Sequence, residues 1–174
     1  MTLTHTGKHP DFINIAKQFD YLNHFEVAVG FFGEDDALLL TIVRANEYGA
    51  DIKPKKHDYL YVPYKKENGK TGFYKLKEVH IPARPFIKNA WKANEEKYKK
   101  MVLDGLTDIA NGKITGRGLL NKIGSECVSD IRAAAIDLKN PPNAPLTIAN
   151  KGSENPLVDT GELERKVTYK IIKA

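Results

Sequence analysis

The residue types that most often carry catalysis or bind metal ions occur here without the spacing that such chemistry needs. His5 and His9 are four residues apart, as in zinc-binding helices, but no catalytic glutamate accompanies them and the segment has no helical periodicity. Cys127 follows Gly124-Ser125-Glu126, which lacks the second glycine of a nucleophile elbow. Because Cys127 falls on the apolar face of a predicted helix, we predict a buried thiol rather than a nucleophile.

Phosphate-binding and acid–base patterns are equally incomplete. The segment Gly116-Arg117-Gly118 has no third glycine, no preceding strand and no following Gly-Lys-Ser/Thr. The carboxylate pairs Asp35-Asp36 and Glu95-Glu96 suit helix caps or solvated helix faces better than paired acid and base. We therefore expect a protein that is not an enzyme, with no catalytic residues, no cofactor and no metal site.

A lysine-rich β-hairpin is predicted over residues 59–80. Its arms run from Tyr59 to Tyr64 and from Phe73 to Val79, and Asn68-Gly69 favours a type I′ turn between them. Aromatic residues beside cations can stack bases and hold phosphates, so a nucleic-acid-binding module is one interpretation. The other is an ordinary strand pair with packed tyrosines and solvated lysines. The lysines that would contact DNA or a partner are Lys65, Lys66, Lys70 and Lys75.

Composition favours one domain in a reducing compartment. The chain has 174 residues, 41% of them hydrophobic, and a domain of that size buries roughly 70% of its unfolded surface. A single cysteine excludes an internal disulfide. We expect no signal peptide, because residues 1–8 lack an apolar core, and no membrane association, because the apolar run 37–43 is too short. The net charge of +5 fits a mixed surface or an acidic or nucleic-acid partner.

Hydrophobic periodicity predicts the element order α-β-α-ββ-α-α-β and a flexible arm at 1–10. The fold class is α+β: a small, mostly antiparallel sheet with two long helices packed on one face and the hairpin inserted. Residues 11–174 form the single predicted domain, with a long loop at 140–158. Asp35 or Asp36 would cap the second helix, and Gly49 would end it.

The segment Ile81-Pro82-Ala83-Arg84-Pro85-Phe86 predicts a stiff extended connector that starts the first long helix. We expect Pro82 and Pro85 to set its geometry, Phe86 to pack, and Arg84 to be free to reach a neighbouring subunit. Near the C-terminus, Asp159 can cap a short turn with Glu162 in capping-box position.

Two segments together resemble the tail-completion or virion-morphogenesis proteins of long-tailed bacteriophages. The first is Glu47-Tyr48-Gly49 followed by the Ile81–Phe86 connector and its long helix. The second is Pro156-Leu157-Val158-Asp159-Thr160-Gly161-Glu162-Leu163 followed by a strand. The resemblance covers residues 40–50 and 80–172. It departs at 51–80, because relatives join the first two motifs by only a few residues.

This resemblance implies a structural virion protein of the head–tail junction, acting in the neck, in tail completion or as a tail terminator. Such a subunit forms a ring, six-fold by expectation, between the connector and the tail tube, and contacts other neck and tail proteins. It would be made in the host bacterial cytoplasm and would touch genome DNA transiently. The assembly residues that the resemblance marks are Pro82, Arg84, Pro85, Phe86, Asp159, Thr160, Gly161 and Leu163.

Overall fold

The computed structural model describes residues 11–33, 37–66, 68–158 and 161–174. The predicted arm at 1–10, the caps Asp35 and Asp36, and Asp159 with Thr160 lie outside these residues. The helices are α1 (Phe12–His24), α2 (Ala37–Tyr48), α3 (Phe86–Ala110), α4 (Gly116–Asp137), α5 (Pro145–Lys151) and α6 (Glu162–Lys166). The strands are β1 (Phe25–Gly30), β2 (Ala50–Ile52), β3 (Leu60–Lys65), β4 (Thr71–Leu76), β5 (Val79–Ile81) and β6 (Thr168–Lys173).

The α+β class is confirmed, and the described strands form three separate pairs. β1 pairs with β6, β2 with β5 and β3 with β4. The last two pairs are antiparallel, with Ala50 opposite Ile81 and Leu60 opposite Leu76. The sequence predicted one small sheet instead of three pairs. Alternating hydrophobicity identifies a strand, but it does not specify which strand pairs with it.

The chain divides into two compact units. Unit 1 comprises residues 1–29, 94–128 and 168–174, and unit 2 comprises residues 30–93 and 129–167. The sequence predicted a single domain over 11–174. Each of the two long helices, α3 and α4, contributes residues to both units.

Unit 1 packs through close approaches at small residues. A Cβ on Gly105 would lie 2.2 Å from the Leu119 Cδ1 atom, and one on Gly124 would lie 2.4 Å from the Tyr169 ring. Leu119 is almost fully buried. Cys127 is buried as its place on the apolar helix face predicted. Glycine is therefore required sterically at two points where helices meet neighbouring side chains.

Helix ends in the described residues follow the local sequence signals. The Asp11 carboxylate accepts from the Ile13 and Asn14 N–H groups at 3.1 and 3.3 Å and so caps α1. Gly112 adopts the left-handed conformation (φ 68°) after α3. The Thr115 hydroxyl accepts from the Gly118 N–H at 3.0 Å at the start of α4. These three helix ends are thus set by short-range interactions that the sequence makes visible.

The interpretation of residues 140–158 as a loop is wrong, because α5 lies within them. Pro145 stands at the first turn of α5, where its missing N–H has no intrahelical partner to lose. Gly152 closes the helix in the left-handed conformation (φ 74°), and its N–H donates to the Ile148 carbonyl at 2.7 Å. A proline start and a glycine stop seven residues apart were therefore the overlooked helix signal.

Candidate functional site

Arg84, in the middle of the proline-bracketed connector, is buried, with 6% of its surface exposed. Its guanidinium donates to the 141–143 segment: Nε to the Pro141 carbonyl at 2.9 Å, and Nη2 to the Pro142 carbonyl at 3.1 Å and the Asn143 Oδ1 at 3.3 Å. Nη1 donates to the Asn46 Oδ1 at 3.3 Å. The expectation that Arg84 is free to reach a neighbouring subunit is therefore wrong, because these internal acceptors hold it.

The chemistry of the 141–143 segment explains why an arginine lies against it. Pro141 and Pro142 lie outside the helices and strands, so their carbonyls lack the backbone donors that regular structure provides and can accept from a side chain. Arginine supplies five donors in a planar fork and has no acceptor of its own. Burial lowers the pKa of the Arg84 guanidinium. An arginine side chain nevertheless stays protonated in proteins at neutral pH.

Glu47 caps the N-terminus of α3 from a distant part of the chain. Its carboxylate is buried, and it accepts from the Ile87 N–H at 3.1 Å and from the Lys88 N–H at 3.0 Å. These two N–H groups belong to the first turn of α3, which has no intrahelical acceptors for them. A negative charge there also interacts favourably with the helix dipole. Glu47 therefore ties α2 to the start of α3.

Sequence reasoning did not identify Glu47 as a cap. The nearest local signal was Pro85, which marked the start of α3 but provides no side-chain acceptor for its N–H groups. A buried glutamate in the last turn of α2, where a basic residue would suit the dipole better, was the available hint.

Gly49 lets the backbone after α2 approach the connector. It has a φ of 78°, and a Cβ built on it would lie 3.1 Å from both the Ala83 N and the Ile81 carbonyl oxygen. Its role as the glycine that ends α2 is confirmed. Tyr48, between the engaged Glu47 and Gly49, is 78% exposed. The Glu-Tyr-Gly motif thus uses its outer residues internally and presents its tyrosine to solvent.

These contacts join segments far apart in sequence into one structure, which we call the buried node: Asn46, Glu47, Gly49, Arg84 and residues 141–143. The strand pair β2–β5 lies next to it, with Ala50 opposite Ile81. All of these residues belong to unit 2. The antiparallel pair brings the two ends of the 51–80 segment together, so that segment leaves and re-enters the fold at one place.

Phe86 anchors the connector, as the sequence predicted. Its side chain is fully buried, and its ring packs edge-to-face on Phe31 with ring centroids 6.3 Å apart. Pro82 and Pro85 are half-buried in the connector, and α3 begins one residue after Pro85. The connector is therefore fixed at its apolar end by Phe86 and at its polar centre by Arg84.

The C-terminal motif is organised by Asn155. Its Oδ1 accepts from the Leu157 and Val158 N–H groups at 3.0 Å each, and its Nδ2 donates to the Ile136 carbonyl at 2.6 Å. Leu157 and Leu163 are buried. Gly161 precedes α6 in the left-handed conformation (φ 74°). The capping role predicted for Asp159 lies outside the described residues.

The predicted hairpin is present as the antiparallel pair β3–β4, but the type I′ geometry is wrong. Gly69 has a φ of 77°, whereas no described non-glycine residue, Asn68 included, has a positive φ. The turn is closed by the Gly69 N–H, which donates to the Lys66 carbonyl at 2.9 Å, and by the Lys66 N–H, which donates to the Lys70 carbonyl at 2.9 Å. A single left-handed glycine after a turn is typical of the longer hairpin loops.

The two faces of the hairpin differ in packing. On one face the Tyr64 and Tyr74 rings stack with centroids 4.4 Å apart, and a Cβ on Gly72 would collide with the Tyr64 ring. On the other, which we call the outer face, Tyr61 and Phe73 are 54% and 59% exposed. Tyr74 is itself 47% exposed, so packed tyrosines describe Tyr64 but neither Tyr61 nor Tyr74. The outer face carries Tyr61, Pro63, Lys65, Thr71, Phe73 and Lys75.

The four lysines singled out from the sequence lie in two places. Lys65 and Lys75 are on the outer face, and the Lys75 Nζ lies 5.9 Å from the centroid of the Tyr61 ring. Lys66 and Lys70 flank the turn and are exposed. The hairpin is also tied to α5, because the Asn150 Nδ2 donates to the Pro63 carbonyl at 2.8 Å.

A metal-binding cluster and a membrane-spanning helix are both absent from the part of the chain that is described. Within residues 11–33, 37–66, 68–158 and 161–174, no group of three or more His, Cys, Asp or Glu side chains is placed to hold a metal ion. None of the helices described is long and apolar enough to cross a membrane.

No protein-family model matches the chain, and neither a curated protein nor a solved structure matches it.

Proposed function

We propose that this chain is a structural subunit of the head–tail junction of a long-tailed bacteriophage, and that its copies form a closed ring. The observation that carries the proposal is the buried node. Two of the motifs in which the sequence resembles tail-completion proteins, Glu47-Tyr48-Gly49 and Ile81–Phe86, meet there through the Glu47 cap on α3 and the Gly49 contact with the connector. The resembling residues therefore have a common physical role.

The 51–80 segment is compatible with this proposal. Relatives that join the two motifs by a few residues need only a short link between Gly49 and Ile81. Here β2 and β5 pair, with Ala50 opposite Ile81, so the two ends of the extra segment lie side by side. The segment therefore extends away from the buried node and leaves its contacts in the arrangement that a short link would allow. Because loop length adds little to closure entropy, such an insertion is tolerated.

The chemistry of the node also suits an assembly role. Glu47 and Arg84 are the buried charges of the node, and both are used in internal hydrogen bonds. A subunit of a ring must hold fixed surfaces toward its neighbours, and closed rings are built from heterologous interfaces. In this proposal the ring lies between connector and tail tube in the virion and contacts other neck and tail proteins.

Tyr48 is the residue of the motif that we assign to subunit contact in place of Arg84. It is 78% exposed at the end of α2, beside a shallow depression of about 500 Å³ lined by Thr41, Arg44, Ala45, Gly49 and Ala50. Aromatic residues are enriched where protein surfaces meet, because they bury a large area with few rotatable bonds.

The proposal is tested by electron microscopy of the purified chain and by measurement of its molar mass in solution. We expect closed rings, six-fold by the resemblance, in negative-stain micrographs and the corresponding mass in light scattering. Tyr48→Ala should reduce the fraction of protein in rings while the melting temperature stays unchanged. Tyr48→Phe should keep the fraction of protein in rings at the level of the parent. A chain that stays monomeric at about 100 μM, a concentration at which even a weak specific interface would associate, and that is absent from purified virions would refute the proposal.

A further inference from the structure

We propose that the outer face of the β3–β4 hairpin binds single-stranded nucleic acid. This activity is separate from the ring and rests on different residues. The face combines two exposed aromatic rings with two lysines, and the turn next to it adds two more lysines. Aromatic side chains that stack bases, set beside cations that hold phosphates, are the recurring parts of single-strand binding surfaces.

The charge of the segment points to a polyanionic partner. Residues 51–80 contain eight lysines and four acidic residues, so they carry +4 of the chain's formal +5. Lys53 pairs with Glu78 at 3.4 Å near the base of the hairpin. Lys65 and Lys75 on the outer face have no ion-pair partner among the described residues. Two lysines of this basic segment, Lys65 and Lys75, therefore lie on the same face as the exposed rings, and Lys66 and Lys70 flank the adjoining turn.

The register of the hairpin sets the two rings at a useful separation. Tyr61 lies opposite Lys75, and Phe73 lies opposite Pro63. Tyr61 and Phe73 are thus diagonal neighbours on one face, with backbones about 7–8 Å apart. The Lys75 Nζ lies over the Tyr61 ring, 5.9 Å from its centroid. A base that stacks on this side of the ring displaces the ammonium, which can then reach the phosphate of the same nucleotide.

A protective role for the lysines alone does not account for the outer face. Lysines on an edge strand prevent unwanted strand pairing. That role does not require Tyr61 and Phe73 to be more than half exposed on the same face. Duplex DNA would use the lysines but not the rings, since its bases are already stacked and paired. A single strand uses both features, so we commit to single-stranded nucleic acid.

The anchoring of the hairpin supports a defined surface. The Asn150 Nδ2 donates to the Pro63 carbonyl at 2.8 Å, so the outer edge of β3 is held by α5. On the opposite face the Tyr64 ring stacks on that of Tyr74 and so links the two strands, although Tyr74 is 47% exposed. Tyr61 and Phe73 therefore project from a strand pair that is held at one edge and cross-linked by a ring stack, which lowers the entropy lost on binding.

The test is fluorescence anisotropy of a labelled oligothymidylate of about 20 nucleotides, titrated with the full chain. We expect binding at about 50 mM salt, with a slope of log affinity against log salt of about −2.8 for phosphate contacts by all four lysines. Tyr61→Ser with Phe73→Ser should weaken binding by at least about tenfold, the loss typical of a stacked base. Lys65→Ser with Lys75→Ser should weaken it as well and bring the slope to about −1.4, the value for the two lysines that remain.

Matched controls separate this site from general basicity. Lys17→Ser with Lys122→Ser removes the same charge from exposed positions outside the hairpin and should change affinity less than about twofold. Duplex DNA of the same length should bind more weakly, and polyglutamate should not compete. Equal losses in the hairpin and control variants, no binding at low salt, or competition by polyglutamate as strong as by the oligonucleotide would each overturn the proposal. Ring formation of the same variants is measured separately by light scattering, so a failure of nucleic-acid binding can be told apart from a failure of assembly.

Discussion

Removal of the Glu47 carboxylate tests the central element of the buried node. Its two oxygens accept from the Ile87 and Lys88 N–H groups at 3.1 and 3.0 Å, in a position with little exposure to water. Loss of a helix cap costs about 0.5–2 kcal/mol. A negative charge at a partly buried helix N-terminus contributes up to ~2 kcal/mol more. Since two N–H groups lose their acceptor, we predict that Glu47→Ala lowers the free energy of unfolding by about 1–4 kcal/mol.

Glu47→Gln divides this effect into its parts. The amide keeps one oxygen that can accept a hydrogen bond, but it loses the charge and sets an NH₂ group against the second N–H. We expect a loss of about 1–2 kcal/mol, because a charged acceptor is roughly twice as strong as a neutral one. Urea denaturation gives the free energies. Hydrogen exchange at Ile87 and Lys88 gives a local measurement: both amides should lose protection in Glu47→Ala, and the one set against the NH₂ group should lose it in Glu47→Gln.

Glu96→Gln is the matched control on the same helix. Glu96 is exposed and pairs with Lys99 at 2.8 Å, three residues along α3. Such a pair contributes about 0.2–0.5 kcal/mol, so the variant should unfold almost as the parent does. If Glu47→Ala stayed within about 0.5 kcal/mol of the parent, or if exchange at Ile87 and Lys88 were unchanged, Glu47 would not be the cap that fixes α3.

Two further substitutions test the remaining contacts of the node. Arg84→Ala should reduce the free energy of unfolding by about 2–4 kcal/mol, since it leaves one buried and three partly buried acceptors without their donor. Arg84→Lys should recover only part of this loss, because an ammonium cannot reproduce the planar fork. Thermal melts within error of the parent would contradict this. Gly49→Ala should destabilise more than Gly69→Ala, because both have φ near 77° but only Gly49 meets backbone atoms at 3.1 Å. Equal urea midpoints for the two would exclude the close approach.

Local chemistry made most helix boundaries predictable from the sequence. Gly49 ends α2, and Gly112 follows α3, because a left-handed residue is needed after a helix and glycine adopts that conformation without strain. Asn68-Gly69 located the hairpin turn, but the pair of residues did not specify which turn type forms. These features depend on interactions within a few residues, which is the range that sequence patterns report.

The contacts of Arg84 and Glu47 were not predictable in the same way. Arg84 bonds to residues 57–59 positions away, and Glu47 caps a helix 40 residues on. An arginine between two prolines suggests exposure, because charged residues are rarely buried unless paired. The missing information was that the carbonyls of a distant Pro-Pro segment, outside regular secondary structure, lie within reach of the Arg84 guanidinium.

The burial pattern of the node changes which residues should be tested for assembly. Glu47, Gly49 and Arg84 face inward, so substitutions there act first on folding, and any loss of rings in those variants would follow from loss of the subunit. Tyr48 stands between two of these residues and is exposed, so its truncation removes surface without removing an internal contact. A variant that keeps its melting temperature and loses its rings can therefore arise at Tyr48 but not at Arg84. That separation is the opposite of the one that the sequence alone suggested.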